Sequence, residues 1–253
     1  MDILSDEKYF TGTSGLLLPV ANKSFYPLAF QDKSRLNFYA SLFSSIEINS
    51  SFYKIPLAAT VRKWAMDVPE AFRFTFKLYK EVTHIKELNY NPLDLDKFMD
   101  SINQVEGKSG CLLIQFPASF KLRNLPKLEE LLSAIRLKDP HKNWKISIEF
   151  RHAEWYDEQV YEVLETHSCS LVIHDKGGYG SGYRDTGTDW VYLRFHGPNG
   201  SYRGSYDEAF LAEYASYIKD WMHEGKTVYA YFNNTMGAAI NNLETLRMYV
   251  SSE

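Results

Sequence analysis

Cysteine is scarce in this 253-residue chain, with only Cys111 and Cys169, each opening an apolar run and neither in a metal-ligand spacing. That excludes a disulfide scaffold and a thiolate metal site, and fits reduced small hydrophobes in a reducing cytoplasm. A basic excess is also missing: 28 Lys and Arg face 32 Asp and Glu, for a net charge of −4 and a pI near 6.0. No global field therefore draws nucleic acid or anionic membrane, and any anion site must be local. No apolar run approaches membrane-spanning length; the densest are Leu16-Leu17-Leu18 and Cys111-Leu112-Leu113-Ile114. The opening residues Met1-Asp2-Ile3-Leu4-Ser5-Asp6-Glu7-Lys8 are too acidic and polar for a signal peptide. The expectation is a soluble, cytoplasmic protein. Linkers, repeats and low-complexity stretches are absent, so residues 1–253 read as one domain, with nothing that signals an oligomeric state. No GxGxxG follows a strand and no GxxxxGK[ST] occurs, so no nucleotide cofactor is expected.

What is present is ordinary globular composition, 45% hydrophobic and 24% charged, with an aromatic share of 15% that is best explained by core packing. Eight short β-rich segments stand out: 10–15, 45–50, 73–79, 110–117, 145–151, 170–175, 190–197 and 227–233. Between most of them lies helical spacing. Leu36/Tyr39/Ala40/Phe43, Val61/Trp64/Ala65/Val68, Leu128/Leu131/Leu132/Ile135 and Val160/Val163/Leu164/His167 follow i, i+3, i+4, i+7. Leu95/Phe98/Ile102/Val105, Phe210/Tyr214/Tyr217/Trp221 and Ala239/Leu243/Leu246/Val250 mark three looser helices. Only the link 176–189, rich in Gly, Tyr and Asp, lacks one and reads as a functional loop. Strict alternation predicts a parallel sheet, and eight strands at this length predict a (β/α)8 TIM-type barrel, with a doubly wound open sheet as the alternative.

Alternate strand residues point to opposite faces. Ile146/Ile148/Phe150 form an apolar, helix-facing side, which turns Ser147, Glu149 and Arg151 inward. The same parity sends Glu47 and Asn49, Lys77, Gln115, His174, Arg194 and His196, and Asn233 into the lumen, with Ser14 offered by the first strand. A barrel interior is normally filled by branched apolar side chains, and its chemistry sits at the C-terminal strand ends. Burying one unpaired charge costs several kcal/mol, so these groups must pair as a salt-bridge plug or line a wet pocket. Beyond the lumen, His152 should face outward and cap or pair with a helix, and His84 sits in the loop after the third strand. Trp155 suits either loop packing or a stacking platform, and His167 reads as structural. The Tyr-rich stretches Tyr179/Tyr183 and Tyr202/Tyr206 suggest a lid.

With these residues in hand, the chain resembles the domain of unknown function 72 family, the YecE-like proteins. The matching stretches are Gly12-Thr13-Ser14-Gly15, Phe25-Tyr26-Pro27, and Ile46-Glu47-Ile48-Asn49-Ser50-Ser51-Phe52-Tyr53 with Pro56. They continue with Phe72-Arg73-Phe74 and Lys77, Thr83-His84, Gln115-Phe116-Pro117, and Ile148-Glu149-Phe150-Arg151-His152 with Trp155. The last are Tyr192-Leu193-Arg194-Phe195-His196-Gly197 and Tyr229-Ala230-Tyr231-Phe232-Asn233-Asn234. The resemblance implies a (β/α)8 barrel and supplies no reaction. One departure is visible: the family usually carries a Trp and a Tyr after Gly-Thr-Ser-Gly, where this chain has Leu16-Leu17-Leu18-Pro19, so no substrate contact carries over for that loop.

The leading functional expectation is an acid/base enzyme that needs no metal and acts on an anionic small molecule. Lys77, Arg151 and Arg194 suit a phosphate or carboxylate, with Asn49, Gln115, Asn233 and Trp155 as further substrate contacts. Glu149 or Glu47 serves as acid or base, and His174 or His196 carries the second proton. One alternative is a metal-dependent phosphoesterase, nuclease-like, with Glu47, Glu149, His174 and His196 as ligands for zinc or manganese. A non-catalytic anion-binding protein is the other.

Overall fold

All eight β-rich segments form strands in the computed structural model, which describes residues 8–176 and 183–252. They are β1 (Tyr9–Thr13), β2 (Ser45–Ile48), β3 (Arg73–Lys77), β4 (Ser109–Gln115), β5 (Lys145–Glu149), β6 (Cys169–His174), β7 (Trp190–Phe195) and β8 (Thr227–Phe232). Every ladder is parallel, in the order β1-β8-β7-β6-β5-β4-β3-β2. The two ends of that order meet at a single bridge between Ser14 and Glu47, so the sheet forms a nearly closed barrel rather than an open one.

The seam has a sequence cause. A Cβ on Gly12 would stand 1.9 Å from the Ser45 carbonyl oxygen, so only glycine lets β1 lie against β2. Side chains replace part of the missing ladder: Ser44 Oγ accepts from the Thr11 amide at 3.0 Å, and Tyr39 OH accepts from the Thr13 amide at 2.7 Å. Past Thr13 the chain crosses from β8 to β2: the Ser14 amide donates to Phe232, the Gly15 amide to the Glu47 carbonyl. This crossing ends β1 at Thr13, short of the Gly15 boundary expected from sequence, and Gly15 has a positive φ there.

The periodic segments become α1 (Arg35–Leu42), α2 (Ala58–Met66), α4 (Pro92–Ile102), α5 (Leu125–Lys138), α6 (Glu158–Thr166), α7 (Glu208–His223) and α8 (Ala239–Ser251). A one-turn α3 (Lys80–Thr83), too short to show a period, follows β3. Ser34, Asn91, Asp157 and Asp207 cap four of these helices by accepting first-turn amides. Between β6 and β7 the described residues 183–189 hold no helix.

Two cores result, as the parity requires. The outer core joins the helices to the outward strand faces, for example Ile146, Ile148 and Phe150 of the β5 segment and Leu112, Ile114 and Phe116 of the β4 segment. The inner core fills the lower lumen with Phe10, Cys111, Leu113, Val172, Trp190, Tyr192, Tyr229 and Tyr231. Both cysteines are free and buried. Above this aromatic floor the lumen turns polar. Among the described residues no helix is long and apolar enough to cross a membrane.

Candidate active site

Glu47, above the aromatic floor, is wholly buried. The Arg194 guanidinium grips it bidentately, with Nε donating to Oε2 at 3.0 Å and Nη2 to Oε1 at 2.9 Å. Tyr192 OH donates to Oε2 at 2.6 Å and Ser14 Oγ to Oε1 at 2.7 Å. Burial alone would raise this carboxyl; Arg194, Tyr192 and Ser14 outweigh it and hold it below the usual carboxylate range. Burial likewise opposes the charge of Arg194, and the two glutamates hold its proton more firmly than usual. Each oxygen of Glu47 accepts two hydrogen bonds.

Arg194 reaches upward with Nη1, which donates to Glu149 Oε2 at 3.0 Å and lies 3.1 Å from His196 Nε2. Glu149 stands at the end of β5, also wholly buried. Its carboxyl is held far below the ordinary range because Arg194 and Arg151 outweigh its burial. Arg151, two residues on, touches Glu149 Oε1 through Nη2 without the geometry of a hydrogen bond, and the same Nη2 lies 3.1 Å from His196 Nε2.

His196 is oriented from behind. Asp175 Oδ1 accepts from the His196 amide at 2.8 Å and lies 3.2 Å from Nδ1. Tyr206 OH donates to Asp175 Oδ2 and accepts from the Gly197 amide. A proton on Nδ1, facing Asp175, leaves the Nε2 lone pair toward the two guanidiniums. Burial lowers the imidazole to about 4, so His196 is neutral near pH 7. Burial lowers His174 as well; its Nε2 lies 3.3 Å from the Phe150 carbonyl, and its Nδ1 accepts from the Lys176 amide.

Lys77 ends β3 and is 7% exposed. Its Nζ donates to Gln115 Oε1 at 2.9 Å and sits 4.1 Å from the centroid of the Phe52 ring. Burial, then the nearby Arg194, lower the amine to about 8. Gln115 is pinned by its own Nε2, which donates to the Phe116 carbonyl at 2.8 Å. Asn49 follows β2 half-buried, with Oδ1 unpartnered among the described residues, and Asn233 is buried just past β8.

Several expectations need correction. Trp155 is wholly buried, stacked on Phe150 at 4.5 Å and Phe120 at 4.8 Å, with its indole N–H donated to the Phe120 carbonyl. With no exposed surface and its donor used, it offers nothing to a substrate. Glu149 and Arg151, both turned inward by parity, touch directly, and both side chains reach Arg194 or His196. Asp175, absent from the sequence candidates, makes a third carboxylate against the three cations Lys77, Arg151 and Arg194. Its signal was an acid directly after His174, at a C-terminal strand end. Tyr206 turns out to hold Asp175, while Tyr183 is partly exposed against Trp221 and Tyr179 lies outside the described residues.

His152 faces outward and caps a short turn through Nδ1, and exposed His84 packs edge-on against Phe52. The carbonyl of His167, just past α6, accepts from Arg136. Of the proposed metal ligands, Glu47 and Glu149 are separated by Arg194, and among the described residues no group of three His, Cys, Asp or Glu side chains is placed to share an ion.

Residues 10–253 match the family described as "Protein of unknown function DUF72". The UPF0759 protein YunF of Bacillus subtilis is 27% identical over 89% of this chain and 90% of its own. The UPF0759 protein YecE of Escherichia coli is 26% identical over 55% of this chain and 48% of its own. Among solved structures, a DUF72 family protein from Enterococcus faecalis superposes with a TM-score of 0.78 at 22% identity, over 97% of this chain and 96% of that one. Another from Thermotoga maritima gives 0.72 at 26% identity, over 95% and 98%.

Proposed function

The chain belongs to the DUF72 family of proteins of unknown function, a family that brings a barrel and no reaction, and from that premise we propose an acid–base enzyme that binds an anionic small molecule at the C-terminal mouth. The observation that carries this reading is the unfinished bonding of the upper lumen. Among the described residues the buried Arg151 Nη1 lacks a hydrogen-bond partner, and so does Asn49 Oδ1 just past the end of β2. Native proteins rarely leave such atoms unpaired without a role. Arg151 Nη1 and an adjacent N–H suit one oxygen or two of a carboxylate or phosphate.

The proton carriers follow from the same geometry. Glu149 is a weak base while two guanidiniums surround it. An anion bound to Arg151 neutralises one of them and raises its basicity, so substrate binding switches the base on. His196, neutral and braced by Asp175, is the second carrier. Lys77 adds positive charge opposite the bound anion, and its partner Gln115 fixes its position.

Titration calorimetry with oxalate and with inorganic phosphate tests the reading. The expected result is a single site in the wild type that weakens at least tenfold, about 1.4 kcal/mol, in Arg151→Met. Glu149→Gln, which removes a negative charge, should bind as tightly or more tightly. No binding by the wild type, or binding indifferent to Arg151, would overturn it.

A further inference from the structure

Two lysines of this chain are deeply buried, and they are held in opposite ways. Lys108 Nζ donates to the Ala65 carbonyl at 2.8 Å and the Val68 carbonyl at 3.1 Å, closing the C-terminal end of α2, and lies 3.4 Å from a Glu70 carboxylate oxygen. Its ammonium is fully engaged, as a structural lysine should be. Lys77 has none of this. Among the described residues no carboxylate oxygen comes within 4.0 Å of its Nζ. Its hydrogen-bond acceptor is the neutral Gln115 Oε1, and its other neighbour is the face of Phe52. The two arginines of the cluster take the carboxylates for themselves.

A cation needed only to hold an anion is better served by arginine, whose fork matches carboxylate or phosphate and keeps its proton. A buried amine that no carboxylate touches gives up its proton readily and becomes a nucleophile. Burial, followed by Arg194, brings Lys77 to about 8, where a useful fraction is neutral. The amine also stands at the C-terminal end of β3, where barrel enzymes present reacting groups.

We propose that Lys77 is a nucleophile that forms an imine with the carbonyl carbon of an anionic aldehyde or 2-oxo acid bound in the mouth. This inference rests on the anion-binding reading above and adds the substrate class. The Lys77 nitrogen attacks the carbonyl carbon, and the carbonyl oxygen takes up a proton to give a carbinolamine. The nitrogen loses one proton, the hydroxyl takes another and departs as water, and a C–N double bond remains. Nothing is oxidised or reduced. Glu149 and His196 relay the protons, and Glu149 faces the positive charge of the protonated imine. That imine withdraws electrons from the neighbouring carbon, which is what a proton abstraction or carbon–carbon cleavage beside a carboxylate requires.

The test uses glyoxylate as the anionic aldehyde, with cyanoborohydride delivering hydride to any imine, so that each event leaves a carboxymethyl group on nitrogen. The whole chain is treated at pH 8 and mapped by peptide mass spectrometry over time. Lys77 should be labelled at least tenfold faster than Lys33 and Lys127, whose side chains are 51% and 46% exposed. Oxalate should slow Lys77 and leave the reference lysines unchanged. Lys77→Arg should lose that label alone, but the comparison among lysines within one wild-type chain stands even if this variant folds poorly. Labelling of Lys77 no faster than the references, with oxalate binding intact, overturns the imine and leaves the anion site standing. Rapid labelling of Lys77 without oxalate binding supports the imine and overturns the anion site.

Discussion

Arg194 and Arg151 reach the same carboxylate, Glu149, from two levels of one lumen, and their surroundings differ in kind. Below, Arg194 spreads its guanidinium over Glu47, Glu149 and His196, and Glu47 in turn takes Tyr192 and Ser14. Above, Arg151 spends Nη2 on Glu149 and His196 and leaves Nη1 unpartnered, near a lysine that no carboxylate touches. A satisfied buried ion pair is no more stable than a good apolar plug, but removing one partner from it is costly. The lower level therefore behaves as a floor, and the upper level has the unused bonding capacity of a site. Charge alone does not separate them, since the cations and carboxylates of the cluster balance once Asp175 is included.

Glu47→Gln carries the largest expected effect. It should destabilise the protein by about 3–5 kcal/mol, because it leaves two buried guanidiniums, Arg194 and Arg151, to share the single carboxylate Glu149; urea unfolding gives the number. A loss under about 1 kcal/mol would show that the lower level is no more committed than the upper.

Acid sharpens the boundary between the levels, where His196 sits. Its folded value of about 4 lies below the ordinary 6.5, so above 6.5 it contributes nothing to the pH dependence. As pH falls from 6.5 toward 4 the unfolded chain takes up a proton that the folded chain refuses, and stability drops until the folded group also titrates. The full effect is about 3 kcal/mol. His174 works in the same direction, and exposed His84 adds less because solvent screens it. The carboxylates Glu47, Glu149 and Asp175 are all lowered, so their contribution is lost only below about 4.5. Melting temperatures should therefore fall already between pH 6.5 and 5, and His196→Asn should flatten that slope.

Strand parity was enough to find most of the cluster from the residues alone. Glu47, Lys77, Glu149, Arg194 and His196 each alternate with apolar neighbours, and the structure sets all of them in the lumen. What parity does not encode is which acid lies next to which base. Alternation over 170–175 gives Asp175 the face opposite His174, but the strand ends at His174, so that parity does not hold for Asp175, and its link to His196 joins residues 21 apart. Trp155 failed for a related reason: a loop position cannot say which way a ring points, and this one fell between Phe120 and Phe150. The α3 turn was too short to show a period.

Within the upper level, Lys77→Met asks whether the lysine is there for the fold. Burial lowers its amine from 10.5 to about 8, so keeping it charged near neutrality opposes folding by about 3 kcal/mol. Losing the bond to Gln115 returns about 1 kcal/mol of that. The variant should be more stable by about 2 kcal/mol at pH 7, and the gain should vanish above pH 10.5, where both states of the wild type are neutral. A less stable variant would make Lys77 a structural group like Lys108.

Arg151→Met has the smallest expected effect on stability and decides most. Were the upper level a plug, this change would strand Glu149 and cost about 3–5 kcal/mol. Glu149 keeps Arg194 Nη1 at 3.0 Å whatever happens to Arg151, so its charge stays paired. His196 keeps both Asp175 and Arg194. Methionine fills the space of the arginine stem without a polar atom to bury, and Nη1, unpartnered before, is no loss. The expected change is under about 1 kcal/mol by urea unfolding, alongside the tenfold loss of oxalate affinity. Stability lost on the scale of Glu47→Gln, with oxalate affinity unchanged, would make Arg151 a part of the floor and move the site elsewhere.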